Sequence, residues 1–170
     1  MALTLIATAG ASNANSYTTV EEADAYHEAH LYASTWTDAS TANKEAALVW
    51  ATRLLDEVCE WDGTKSTNEQ ALRWPRGGAT DADGVPFDVD EIPQELKHAT
   101  AEFARHLLAS DRFQVRDDAK GGLHSVSAGP VSVTFNHVDR ISLVPESVWA
   151  LLRPIQHGAS GGWEVPLIRV

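Results

Sequence analysis

Cysteine is all but absent: Cys59 stands alone in 170 residues. A single thiol excludes an intrachain disulfide framework and a cysteine-built metal staple, and it suits a reducing, intracellular origin. Bases are scarce as well, with 13 Lys and Arg against 24 Asp and Glu and a formal net charge of −11. Non-specific nucleic-acid binding is mostly phosphate neutralisation by Lys and Arg. Here the bases are scattered along the chain, which disfavours a dedicated DNA-binding surface and fits one that repels a polyanion. Long apolar runs are missing, and none approaches the ~20 residues needed to cross a bilayer. The opening "MALTLIATAGASNAN" has no Lys or Arg before its apolar part, and Thr4 and Thr8 interrupt it, unlike a secretion signal. Catalytic signatures are missing too: there is no G-x-S-x-G, no P-loop and no G-x-G-x-x-G. Cys59 falls near the end of an amphipathic helix, where a small buried apolar role is expected. The expectation is a protein that is not an enzyme, has no cofactor and holds no metal.

What is present is an ordinary globular composition, 44% hydrophobic and 22% charged. A chain of this length forms one domain and buries roughly 70% of its unfolded surface. Periodicity predicts a mainly α fold: a small bundle of about four helices, one β-hairpin and an extended C-terminal arm. "SYTTVEEADAYHEAHLYA" reads as the first helix, capped by the box Thr19–Glu22, with Val20, Ala23, Tyr26 and Ala29 or His30 on one stripe. Trp36 is expected in the turn that follows. "DASTANKEAALVWATRLLDEVCEW" is the second, with Ala47, Trp50, Ala51, Leu54, Leu55 and Val58 at three- and four-residue spacing and Asp62-Gly63 as its stop. Pro93 opens the third, where a missing first-turn N–H does no harm. Leu96, Ala99, Phe103, Ala104, Leu107 and Leu108 form its stripe as far as about Ser110.

Beyond "DDAKGG" the period falls to two. Leu123 and Val126, then Val131, Val133 and Phe135, alternate around Ala128-Gly129-Pro130 and predict a hairpin. "LVPESVWALLRP" predicts a short fourth helix between Pro145 and Pro154. The map is therefore one domain over 1–170: bundle 1–118, hairpin region 119–143, short helix 144–157 and flexible arm 158–170. The arm joins a Gly/Ser-rich spacer to the apolar Trp163, Val165, Leu167, Ile168 and Val170, a tether with an anchor.

Three stretches invite a site. His27 and His30 in "HEAH" are spaced by three, whereas a zincin pair needs four and a third ligand, so a surface or interface pair is the better reading. In "DADGVPFDVD", an EF-hand frame with Gly84 at the sharp turn places Asp81, Asp83 and Asp90 on ligand positions. It also leaves Ala79 at the first position and Asp90 where a bidentate glutamate belongs. An acidic turn is preferred, with Asp88, Asp90 and Glu91 facing the positive end of the next helix. In "WPR", Trp74 plugs the core from a loop and Arg76 pairs with a nearby acid; a compatible reading places Arg76 and the glycine loop at a subunit contact, where Trp and Arg often dominate.

The order "NSYTTVEEADAYHEAH", "KEAALVWATRLLDE", "QALRWPRGGATDADGVPFDVDEIPQELKHATAEFARHLL" and "SAGPVSVTF" resembles a family of tailed-phage proteins over Asn15 to Val170. Its members go by the description DnaT-like single-stranded-DNA-binding protein, and the same layout resembles the phage head–tail connector (adaptor) family. The connector likeness implies a ring, commonly a dodecamer, beneath the portal at the head–tail junction of the virion, assembled in the host cytoplasm. It implies as partners the portal, neighbouring copies and the next neck or tail protein, with genome DNA only passing through and no membrane. On that likeness the arm residues Trp163, Val165, Leu167, Ile168, Arg169 and Val170 would bind the portal. Trp74, Arg76, Val131, Val133 and Phe135 would meet subunits or neck. The acidic balance agrees with this better than with a basic, aromatic-lined groove. A single-stranded-DNA-binding replication factor and a tail-completion protein are the alternatives.

Overall fold

The computed structural model describes residues 3–112, the strand residues 125–128 and 131–134, and residues 142–156. Helix α1, Val20–Glu28, starts at the predicted capping box: Thr19 accepts from the Glu22 backbone N–H, and the Glu22 carboxylate accepts from the Thr19 N–H in return. A four-residue helix α2, Ser34–Thr37, follows and carries Trp36 fully into the core. This corrects the expectation of a turn there. Trp36 Nε1 donates to Asp24 Oδ1 at 2.7 Å, and Lys44 Nζ reaches the same oxygen at 2.8 Å, so α1, α2 and the next helix are tied at one carboxylate.

Helix α3, Thr41–Val58, is capped by Ser40, whose Oγ accepts from Asn43 N. It buries Ala47, Leu48, Ala51, Thr52, Leu54 and Leu55. Val58, predicted on that stripe, is 39% exposed. The helix ends at Val58, well before Asp62-Gly63: Cys59 turns into extended backbone, and Cys59 and Trp61 take the core positions instead. Helix α4, Gln94–Ala109, begins after Pro93 as expected and ends at Ser110. It is the axis of the bundle, packed against α1, α2, α3 and the last helix. Ala99, Ala101 and Ala104 are small enough to admit neighbours on several sides, which is why Thr100 and Glu102 are buried too.

Helix α5, Glu146–Leu152, opens after Pro145 and passes at Pro154 into a 3₁₀ turn, Arg153–Ile155. Val144, Val148, Leu152 and Ile155 complete the core. Strands β3, Ser125–Ala128, and β4, Val131–Thr134, form the predicted hairpin. Its register pairs apolar with apolar, Val126 with Val133 and Ala128 with Val131, and hydroxyl with hydroxyl, Ser125 with Thr134 and Ser127 with Ser132. The protein is mainly helical, with five helices among the described residues. Among them, no helix is long and apolar enough to cross a membrane.

Candidate interaction surface

Residues 59–93 join α3 to α4, and the chain folds this stretch with a few polar clasps. Strands β1, Thr64–Lys65, and β2, Arg76–Gly77, pair antiparallel at its base. The backbones come so close at Gly63 that a Cβ there would lie 2.3 Å from Gly77 O, and Gly63 also has φ +72. Only glycine fits both demands.

Arg76 is the main clasp. Its guanidinium donates to the carbonyls of Asp62 (2.6 Å), Gly63 (2.6 Å), Arg73 (3.1 Å) and Trp61 (3.2 Å). The expected acid partner is thus replaced by four backbone oxygens, since a reversing chain turns unpaired carbonyls toward one point and the planar fork can satisfy several together. Gln70 is the second clasp: its Oε1 accepts from Thr67 N, and its Nε2 donates to Leu72 O and Pro75 O. Trp74, before a cis peptide bond to Pro75, is 1% exposed and meets Trp61 and Phe87 edge to face, at centroid distances of 5.9 and 5.6 Å. Trp74 is therefore a core plug and offers no surface to a subunit.

The tip of the connector is an acidic loop. Asp81 Oδ1 accepts from the backbone N–H groups of Asp83 (2.9 Å) and Val85 (2.8 Å), which shapes the turn. That carboxylate organises backbone, and among the described residues no three His, Cys, Asp or Glu gather to hold a metal ion. Asp83, Asp88, Asp90 and Glu91 are exposed, and Val85 and Val89 are each 58% exposed. Ser66 donates its hydroxyl to Val89 O, fastening the loop to the end of β1.

Beside the connector lies a shallow cleft of about 480 Å³ between α3 and residues 65–73. Arg53, Lys65 and Arg73 line it with Val49, Leu72 and Asp56. Asp56 accepts from the Tyr17 hydroxyl and from Arg73 N. Burial raises the pKa of Asp56 despite those donors, and burial together with the Asp56 charge raises that of Tyr17. The Cys59 thiol nearby is pushed up to about 12, chiefly by burial, so it stays protonated and serves as packing.

Two further groups were hidden from the sequence. His27, expected in a surface or interface pair with His30, is 1% exposed; its Nε2 donates to Ala101 O at 3.1 Å and its ring lies against Trp36. Burial lowers its pKa, so the ring is neutral, and the pairing with His30 is only a ring contact at 6.2 Å. Glu102, on α4, is gripped by Arg105 at 2.6 and 3.1 Å and by His106 at 3.3 Å. Burial pushes its carboxyl up, but His106 and Arg105 outweigh that and hold it well below the usual carboxylate range.

Of the residues predicted to make contacts, Arg76 is half-buried in its clasp, and Val131 and Val133 lie in β4. Phe135 and the arm residues Trp163, Val165, Leu167, Ile168, Arg169 and Val170 lie outside the described residues. The cleft was not predicted, because its lining comes from separate elements with no shared motif. The family model described as "Putative DnaT-like ssDNA binding protein" matches residues 1–170. No curated protein and no solved structure matches the chain.

Proposed function

We propose that this chain, which belongs to the DnaT-like ssDNA binding protein family, works as a structural head–tail connector: a ring of copies beneath the portal in the neck of a tailed-phage virion, with genome DNA passing through its lumen. The observation that carries this reading is how the cations are used. Nine Lys and Arg lie among the described residues, and eight are engaged within the chain. Lys44, Lys97, Arg105 and Arg153 pair with Asp24, Glu22, Glu102 and Glu146. Arg76, Arg112, Lys65 and Arg73 donate to backbone carbonyls. A strand-binding groove needs a continuous track of cations with stacking aromatics, whereas most of these already meet partners within the chain, on an acidic body that would let DNA slide past without braking. The portal would be gripped by the C-terminal arm, Trp163 to Val170, as an added strand or as apolar anchors.

Electron microscopy of the full chain mixed with portal should show a ring at the portal's DNA exit, and removal of residues 159–170 should abolish docking. Free portal in the first mixture would overturn the connector reading; docking that survives truncation would overturn the role of the arm alone. The family description favours a second reading, binding of single-stranded DNA in replication. It predicts an oligonucleotide affinity at physiological salt that falls steeply as salt rises, which a gel shift measures directly.

A further inference from the structure

The connector presents two separate surfaces of opposite charge, a cleft with Arg53, Lys65 and Arg73 and a loop with Asp83, Asp88, Asp90 and Glu91. Lys65 lines the cleft, while its neighbour Ser66 bonds Val89 O in the acidic loop. None of the loop residues 83–91 lines the cleft of its own chain. On the cleft side Arg53, Lys65 and Arg73 are exposed, and Arg53 has no ion pair or hydrogen bond among the described residues. On the loop side Asp83, Asp88, Asp90 and Glu91 are exposed without an ion pair among the described residues, and Val85 and Val89 stand out between them. The loop's mixture of acids and valines matches a cleft whose lining combines three cations with the apolar Val49 and Leu72.

We propose that the acidic loop of one copy, residues 83–91, seats in the Arg53–Lys65–Arg73 cleft of the next copy. The contact names the self-association surface for the ring and rests on that reading. Because cleft and loop are different surfaces, the contact is head to tail, the kind that closes into a ring when its rotation permits and otherwise runs on as a filament. Opposite charges steer the encounter and set the register, and the valines supply apolar area. A nucleic-acid strand fits the cleft less well. Asp56 and Glu57 share the lining with the three cations, and no aromatic side chain lines it.

Sedimentation velocity of the full chain over a concentration series tests the contact. The wild type should self-associate, more weakly as salt rises. Arg53→Glu with Lys65→Glu should weaken association by about tenfold or more, and so should Asp88→Lys with Asp90→Lys. An equimolar mixture of the two double variants should recover it, because each reversed cleft then meets a reversed loop. Arg73 is left in place because its Nη1 holds Cys59 O and its backbone N–H bonds Asp56, whereas Lys65 makes one bond, to Gln70 O at 3.3 Å, whose loss a melting control reveals. If either double variant melts early, mixing Arg53→Cys with Asp90→Cys in otherwise native chains should give an intermolecular disulfide. Wild-type-like association of both double variants, or absence of that disulfide, overturns the contact while leaving the ring to the portal experiment. A wild type that stays monomeric at every concentration also overturns it. So does a cleft variant that associates normally but no longer binds an oligo-dT probe, which would make the cleft a nucleic-acid site.

Discussion

The helical bundle and the connector at residues 59–93 are held by different forces. In the bundle, many side chains each bury a modest apolar face: Leu48, Leu54 and Leu55 of α3, Leu96 and Phe103 of α4, Val148 and Leu152 of α5. In the connector, a short apolar contact of Trp74 with Trp61 and Phe87 is joined by two polar clasps, Arg76 and Gln70, that bond the backbone itself. Distributed packing tolerates loss at one point, whereas a clasp concentrates its effect in one residue. The connector is also the part that presents the acidic loop and one wall of the cleft.

The largest blow to the connector is Trp74→Ala, which should cost about 3–5 kcal/mol and appear as a large fall in the urea midpoint. A loss under 1 kcal/mol would mean that Trp61 and Phe87 close the gap unaided. On the bundle side the most concentrated interaction is the Glu102 carboxylate, and Glu102→Gln should cost about 3 kcal/mol at pH 7. Its folded pKa is depressed from 4.5. The stabilisation is thus fully present above pH 4.5 and lost as pH falls through the lowered value. Acid unfolding followed by circular dichroism should therefore be shallower in the variant, and an unchanged acid limb would refute the assignment.

Arg76→Lys keeps the charge but loses the fork, and should cost about 2 kcal/mol. Hydrogen exchange sharpens the comparison here: protection should fall in β1 and β2 while α3 and α4 keep theirs. Uniform loss would show that connector and bundle open together. Smallest of all, Leu31→Ser and Tyr32→Ser should shift stability by less than about 0.5 kcal/mol, since these side chains are 91% and 80% exposed. A larger destabilisation would reveal packing around the α1–α2 turn.

Much of the bundle was legible because its signals are local. The Thr19–Glu22 box, the α4 stripe after Pro93 and the prolines bracketing α5 each involve residues within a turn or two of one another. The hairpin was legible for the same reason, although Ala128, expected in its turn, is the last residue of β3 and pairs with Val131. Helix α2 was not: it is one turn long and Ala33 before it supplies no side-chain cap. The burial of His27 was not, because the carbonyl that its Nε2 meets belongs to Ala101, 74 residues away. Arg76 misled in an instructive way. Acids surround it in sequence, yet the oxygens that bind it are main-chain atoms whose convergence depends on the folded turn. The cleft left no trace at all in the order of residues, since α3 and the connector meet there only after folding.

The solitary thiol has a practical corollary. With Cys59 sealed inside and its ionisation pushed to about 12, native protein offers nothing for maleimide chemistry to attack. A cysteine planted on the loop tip or the cleft rim becomes the one addressable handle on the molecule. Dyes, spin labels or crosslinkers can then report distances between copies without first mutating the natural residue away.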